Sequence, residues 1–290
     1  ARLRDEDATL PGRLGAAALL ARHAPAREDA LGFFHGQLRE GLHGTHWPAI
    51  LAAAASTGDT TLPEPLLGLW PELSPLQRGL TLDALLARPA WTAALLEAFS
   101  AGTLRPADVD ATRRMQLLNH PDKKTKTKAA ALFDAAASPG RAQVLARYRP
   151  ALELAGDAAK GQAIYRKACA SCHTLAGEGI AIGPALETVV DHPAEKILTN
   201  IMDPNLDIQP GYHAYSATLN NGAQLFGLLA GESAASLTFK TLDGQTHAVR
   251  RDEIATLRST GLSLMPEGLD AAISVPEMAD LIAFLRQKKG

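Results

Sequence analysis

The spacing of apolar side chains changes along this chain. Up to about residue 155 they recur every three or four positions, the period of helices that bury one face, with breaks at Pro or Gly. Leu14 to Ala24, Asp29 to Glu40, Trp47 to Ser56, Ser74 to Arg88 and Trp91 to Ser100 are the clearest runs. Pro106 to Asn119, Asp122 to Ala137 and Gly140 to Leu154 follow. Asn119-His120-Pro121-Asp122 reads as a corner, because Pro121 cannot continue one helix and Asp122 can cap the next. Short helices, short corners and a loose repeat of roughly forty residues predict a HEAT-like α-helical scaffold over residues 1–155.

Pro150 through Gly156 marks the expected border, and residues 156–290 read as a second domain. Asp157 caps a helix that carries Gly161, Ile164 and Tyr165 on or beside one face. A Gly-rich loop follows from Leu175 to Ile182, then a helix from Pro193 to Met202 that Asp203-Pro204 stops. Between Tyr212 and Leu257 the period becomes two, in the runs Tyr212–Leu219, Gln224–Ala230, Ser236–Leu242 and Thr246–Val249. Asn220-Asn221-Gly222 and Asp243-Gly244 separate them as turns, so a small antiparallel sheet is expected at about 209–258. Val275-Pro276-Glu277 opens a last helix with Met278, Leu281, Ile282 and Leu285 as its apolar stripe. The fold class is therefore mainly α with a small antiparallel β insertion.

The chain's 290 residues, 46% of them hydrophobic, can bury two ordinary cores. Its formal charge of −2 divides into +2 for residues 1–155 and −4 for 156–290, which argues against a nucleic-acid partner. No apolar run approaches the eighteen or so residues that span a bilayer, so a soluble protein is expected. The sequence opens on Ala1-Arg2 without a signal peptide, which reads as a processed product or an excised fragment.

The chemistry concentrates in Cys169-Ala170-Ser171-Cys172-His173, the attachment signature of a c-type haem. Each thiol can add across one vinyl group, and the adjoining imidazole is placed to ligate the iron. A thioredoxin-like dithiol would want a strand leading into the motif, and a zinc knuckle would want two further ligands nearby. Cys169 and Cys172 are the only cysteines, and a helical pattern precedes them. Covalent haem attachment outside the bacterial cytoplasm places the protein in the periplasm or at the cell surface.

A sixth iron ligand is needed, and a thioether there raises the potential relative to a second imidazole. Met265 is the first choice, because Leu262-Ser263-Leu264-Met265-Pro266-Glu267-Gly268-Leu269 is an apolar loop punctuated by Pro and Gly just before the last helix. Met202 and Met278 sit where methionine usually fills a core, and Met115 belongs to the helical half. His213 and His247 are rivals on strands, where half-exposed alternating positions account for them. An open sixth position is the remaining alternative. His35, His43 and His46 lack the carboxylate spacing of a metal site. Gly183-Pro184-Ala185-Leu186 is a turn whose carbonyl could accept the Nδ1 hydrogen of a ligating His173.

Taken together, the Gly161/Tyr165 helix, Cys-x-x-Cys-His, Gly-Pro-x-Leu, the Met-Pro loop and the aromatic-bearing last helix resemble class I cytochromes c from Asp157 to Arg286. The resemblance implies that the helices holding Gly161 and Phe284 cross near the haem edge, that the Pro184 carbonyl receives the His173 hydrogen bond, and that Met265 is the distal ligand. Ile201-Met202-Asp203-Pro204-Asn205, the sheet and the Met265 loop are similar to a haem-binding domain family typical of planctomycetes and verrucomicrobia. In that family the domain commonly follows HEAT-like helices and a propeller resembling sugar dehydrogenases. Leu117-Leu118-Asn119-His120-Pro121-Asp122 is similar to those helices. His173 and Met265 lie 92 residues apart, further than in small cytochromes, and the inserted sheet accounts for the excess.

The expected function is one-electron transfer through a single haem c bound by Cys169, Cys172, His173, Pro184 and Met265, between a dehydrogenase donor and another carrier. A ligand-binding or sensor module with a labile sixth position is the rival reading; a third makes the helical half the main interaction module. No acid, base or nucleophile is assigned, and one haem argues against the two-haem division of labour of cytochrome c peroxidases. The basic run Lys123, Lys124, Lys126 and Lys128 reads as a solvated helix face, with docking of an acidic redox partner as the minority view.

Overall fold

The computed structural model describes residues 7–134 and 139–287. The first half is a run of short helices, α1 (Leu10–Leu20), α2 (Arg27–Glu40), α3 (Trp47–Ser56), α4 (Pro63–Gly68), α5 (Pro75–Leu86), α6 (Pro89–Ser100), α7 (Ala111–Leu118) and α8 (Lys123–Asp134). Proline stands in the first turn of α1, α3, α4, α5 and α6, where its missing N–H leaves no bond unmade. Ser74 and Gln77 form a capping box at α5. Phe34, Leu38, Trp47, Leu66, Leu85 and Trp91 build the core. The two indoles stay satisfied there, Trp47 donating to Thr81 Oγ1 at 3.2 Å and Trp91 to the Asp59 carbonyl at 2.8 Å.

Two elements differ from the pattern-based reading. The segment expected as one helix from Pro106 to Asn119 splits, because Asp110 caps a new helix at Ala111 after a 3₁₀ turn at Pro106–Asp108. Helix α4 was not expected, being a single Pro-initiated turn and a half. The end of the helix expected to reach Ala137 lies outside the described residues.

The packing border also falls earlier than Pro150–Gly156. Helix α9 (Pro139–Tyr148) and the turn Arg149–Leu152 send Tyr148 and Ala151 into a second core, with α10 (Ala158–Ala168), α11 (Ala194–Met202) and α12 (Val275–Leu285). The Tyr148 hydroxyl meets the carbonyls of Asp270 and Ile273, and Arg141 donates to the Met202 carbonyl at 2.8 Å and to Asp270 at 2.9 Å. Pro150 breaks the helix without ending the domain. Helices α10 and α12 cross in contact because Gly161 has no side chain: a Cβ there would sit 2.1 Å from the Asp280 carbonyl oxygen. Tyr165 packs on Phe284 one turn further, their centroids 5.7 Å apart.

Between α11 and α12 lies an antiparallel sheet of β1 (His213–Leu219), β2 (Gln224–Glu232), β3 (Ser236–Thr241), β4 (Thr246–Arg250) and β5 (Ile254–Ser263), ordered β4-β3-β2-β1-β5. Strand β5 extends the sheet beyond the expected residue 258 to Ser263. Its alternation, with Arg258, Ser259 and Thr260 in a row, is too polar to announce a strand, but β1 pairs along it. One sheet face carries Tyr215, Leu229, Leu237, Phe239 and Val249 in a third core. That side meets the helical half: Tyr215 donates to the Leu73 carbonyl at 3.0 Å, and Glu232 accepts from Ser74 and Arg251.

His213, expected half-exposed, is buried at this junction with Nε2 3.6 Å from Asp108. Burial holds its pKa down to about 4; Asp108 opposes that shift, and Arg78 and Arg105 reinforce it.

Two outcomes follow. Gly161→Ala must force α10 from α12 and should cost about 1–3 kcal/mol or more, read from urea unfolding. Because the unfolded chain protonates His213 near its ordinary value of 6.5 while the folded chain resists until about 4, stability should fall as pH drops through that window. Melting temperatures from pH 7 to 4 should decline less steeply in His213→Gln than in the parent.

Candidate haem site

Helix α10 hands directly into the cysteine motif. The Cys169 and Ala170 amides both donate to the Tyr165 carbonyl, and those of Cys172 and His173 to the Cys169 carbonyl, at 2.8 to 3.0 Å. This tight turn brings the second thiol and the imidazole back beside the first. The following loop is laced onto it: Ile180 N–H donates to Ala170, and Ile182 and Gly183 N–H to Cys172. The Tyr165 hydroxyl lies 2.8 Å from the His173 carbonyl and 2.7 Å from that of Glu178, so helix, motif and loop meet at one phenol.

His173 Nδ1 lies 2.8 Å from the Pro184 carbonyl oxygen. A carbonyl can only accept, so the neutral imidazole carries its proton on Nδ1 and leaves the Nε2 lone pair free. Gly183 makes this approach possible, since a Cβ there would stand 2.5 Å from His173 Cε1.

Cys169, Cys172, His173, Pro184 and Met265 line one cleft of about 1420 Å³, including its open mouth. Ile182 and Ile197, Ile201 from α11, Leu228 from β2 and Leu285 from α12 make its walls mainly apolar. Leu228 belongs to the sheet face that turns away from the third core, as strand alternation requires. Burial pushes the Cys169 thiol up to about 11, with Cys172 adding, so the unmodified thiol is protonated at neutral pH. Two thiols and an oriented imidazole on the rim of a large apolar cleft, with glycine where a side chain would strike the ring, fit haem c.

The candidate sixth ligands separate clearly. Met265 is half-buried on the cleft wall, its N–H donating to Ser263 Oγ at 3.1 Å. Met202 and Met278 are wholly buried in the second core, and Met115 is 56% exposed on α7. His213 faces Asp108, and His247 is exposed on β4. Among the described residues, Met265 is thus the one of these that lines the cleft. His35 and His46 are exposed, and the His43 side chain lies outside the described residues. Lys123, Lys124 and Lys126 are exposed on α8, whereas Lys128 pairs with Glu97 at 2.5 Å.

Sequence reasoning gives Asn205 only as the end of a family-like segment, with no role, and does not single out Leu228 or the bridging hydroxyl of Tyr165. Asn205 follows the helix-stopping Asp203-Pro204, a position that announces a turn and gives no hint of its distant partners. Asp203 is buried there with its carboxyl pushed up by burial and the Glu267 charge, against Arg141.

Gly183→Ala should turn the imidazole off the Pro184 carbonyl. The Nδ1 proton of His173, followed by ¹⁵N-edited NMR, is expected to exchange faster than in the parent; unchanged exchange would contradict the role given to Gly183.

The sequence model of the cytochrome c family matches residues 158–239, from α10 through the motif into β3. No curated protein matches the chain. Met265 and α12 lie beyond the matched stretch, and no helix among the described residues is long and apolar enough to cross a membrane. The chain carries a cytochrome c domain, which supports a covalent haem c and haem-based electron transfer.

Proposed function

We propose that the second half of the chain holds one haem c through thioethers at Cys169 and Cys172, with His173 and Met265 as axial ligands, and relays single electrons between protein partners. The observation that carries this reading is the shared cleft of the two thiols, Met265 and an imidazole whose Nδ1 is tied to Pro184. When bound, haem c supplies a one-electron iron couple whose potential the axial thioether raises.

The chain's own residues do the rest. Pro184 keeps the His173 proton on Nδ1 and strengthens the imidazole as a donor. The apolar walls keep water from the cleft interior, which disfavours the more highly charged oxidation state. Met265, beside Pro266 and held by Ser263, keeps a soft sulfur on the wall in both states. With only two cysteines the chain can attach one haem by this route.

The resemblance to propeller-linked haem domains supports a sugar- or alcohol-type dehydrogenase as electron donor and another carrier as acceptor. It also supports a HEAT-like scaffold role for α1 to α8, and maturation supports a periplasmic or cell-surface location.

Protein matured with the c-type attachment machinery should retain its pigment in acidified acetone, and Cys169→Ala with Cys172→Ala should lose it. Carbon monoxide added to the dithionite-reduced parent should change its spectrum slowly and incompletely, whereas Met265→Ala should respond at once. A rapid, complete change in the parent would instead support the ligand-binding reading.

A further inference from the structure

We propose that Asn205 is a positioning residue for Met265: its side-chain amide clasps both ends of the loop that presents the sulfur to the cleft. This rests on Met265 being the iron ligand.

Met265 lies two residues after the end of β5 and is flanked by Ser263 and Glu267 at equal distance in sequence. Asn205, on the turn after α11, reaches both flanks. Its Oδ1 accepts the Ser263 N–H at 2.8 Å, and its Nδ2 donates to Glu267 Oε1 at 2.5 Å. The two partners fix the amide's orientation by chemistry, since an N–H can only donate and a carboxylate only accept. Ser263 then holds the methionine directly, through its hydroxyl on the Met265 N–H. Pro204, beside Asn205, lines the same cleft as Met265.

Among the described residues the loop's own side chains give it little apolar hold before Leu269, which packs against the second core. Leu262 is 45% exposed, and Pro266, Glu267 and Gly268 are exposed as well. Gly268, at φ 91°, turns the chain toward the 3₁₀ turn Leu269–Ala271. Glu267, at one flank, faces water, where an apolar contact gains little and a polar one can hold the chain; the amide supplies that contact while also binding half-buried Ser263. A short amide carries its donor and its acceptor on separate atoms, so one side chain can serve both flanks at once. Alanine offers neither, and aspartate keeps the acceptor but sets a second carboxylate against Glu267.

The test uses full-length holoprotein in four forms: Asn205→Ala, Asn205→Asp, the double variant Asn205→Asp with Glu267→Gln, and Met265→Ala. Readouts are the far-red charge-transfer band of sulfur-ligated ferric haem and the affinity for added imidazole. Asn205→Ala should keep its attached haem and far-UV circular dichroism, lose part of the band, and bind imidazole about ten-fold tighter, the scale of two lost hydrogen bonds. Asn205→Asp should move the same way. The double variant should recover, because carboxylate acceptor and amide donor have exchanged places. A parent without the band would overturn the ligand reading and this inference with it. A parent with the band, lost in Met265→Ala yet unchanged in Asn205→Ala along with imidazole affinity, would overturn the clasp alone. A change in melting temperature without either spectroscopic effect would also overturn it, since it would reveal a merely structural role.

Discussion

A neutral imidazole aims a lone pair into an apolar cleft when the N–H on its other nitrogen has an acceptor that fixes the tautomer. Here the Pro184 carbonyl accepts that hydrogen bond, and much of the second half of the chain serves to keep that carbonyl in reach. The loop between His173 and Pro184 returns because its amides are spent on the motif's own carbonyls. Tyr165 fastens the same loop to α10, and its ring rests on Phe284 of α12. That contact exists because α10 and α12 approach through Gly161. A single hydrogen bond at the site is thus held in place by a helix crossing in the core.

The sheet gives the site its second wall. Alternation along β2 places Leu229 in the third core and Leu228 on the cleft, so one strand serves two environments at once. The next consequence comes from topology. Strand β5 lies at the sheet edge beside β1, runs against the turn Trp70–Glu72 of the helical half, and delivers the Met265 loop as it ends. Arg105 of the helical half fills the space over Gly261, four residues before Met265: a Cβ there would lie 2.6 Å from its guanidinium. The helical half therefore bears on the strand that carries the candidate sulfur, which ties the two halves together more closely than a linker would.

What could be read from the sequence was what short segments decide among themselves. The Cys-x-x-Cys-His turn, the Asp157 cap, the start of the last helix at Val275 and the hairpin turns depend on residues a few positions apart, and they stand where spacing put them. The close crossing at Gly161 and the His173 to Pro184 bond were expected through the family resemblance and are present. The rest depends on distant partners. Helix α9 joins the second core through Arg141 and Tyr148, whose partners lie 61 to 129 residues away. His213 looks like any alternating strand residue until Asp108 closes over it. Strand β5 turns polar from Arg258 to Thr260, and pairing with β1 carries it through that stretch.

The methionines show why a ligand and a core residue demand opposite surroundings. Met202 and Met278 are enclosed on every side, so their sulfurs are committed to packing and cannot face a cofactor without opening the core. An available sulfur must sit where packing is incomplete, which is the position of Met265 on its Pro- and Gly-bounded loop. Incomplete packing alone would leave the side chain free to wander, and rotamer-rich methionine would lose entropy on being fixed. Directional polar contacts on the loop's backbone resolve the conflict, because they restrain the chain without surrounding the sulfur. The lacing from Ser263, Asn205 and Glu267 is of that kind, and it runs from half-buried Ser263 out to exposed Glu267, where apolar contact gains little.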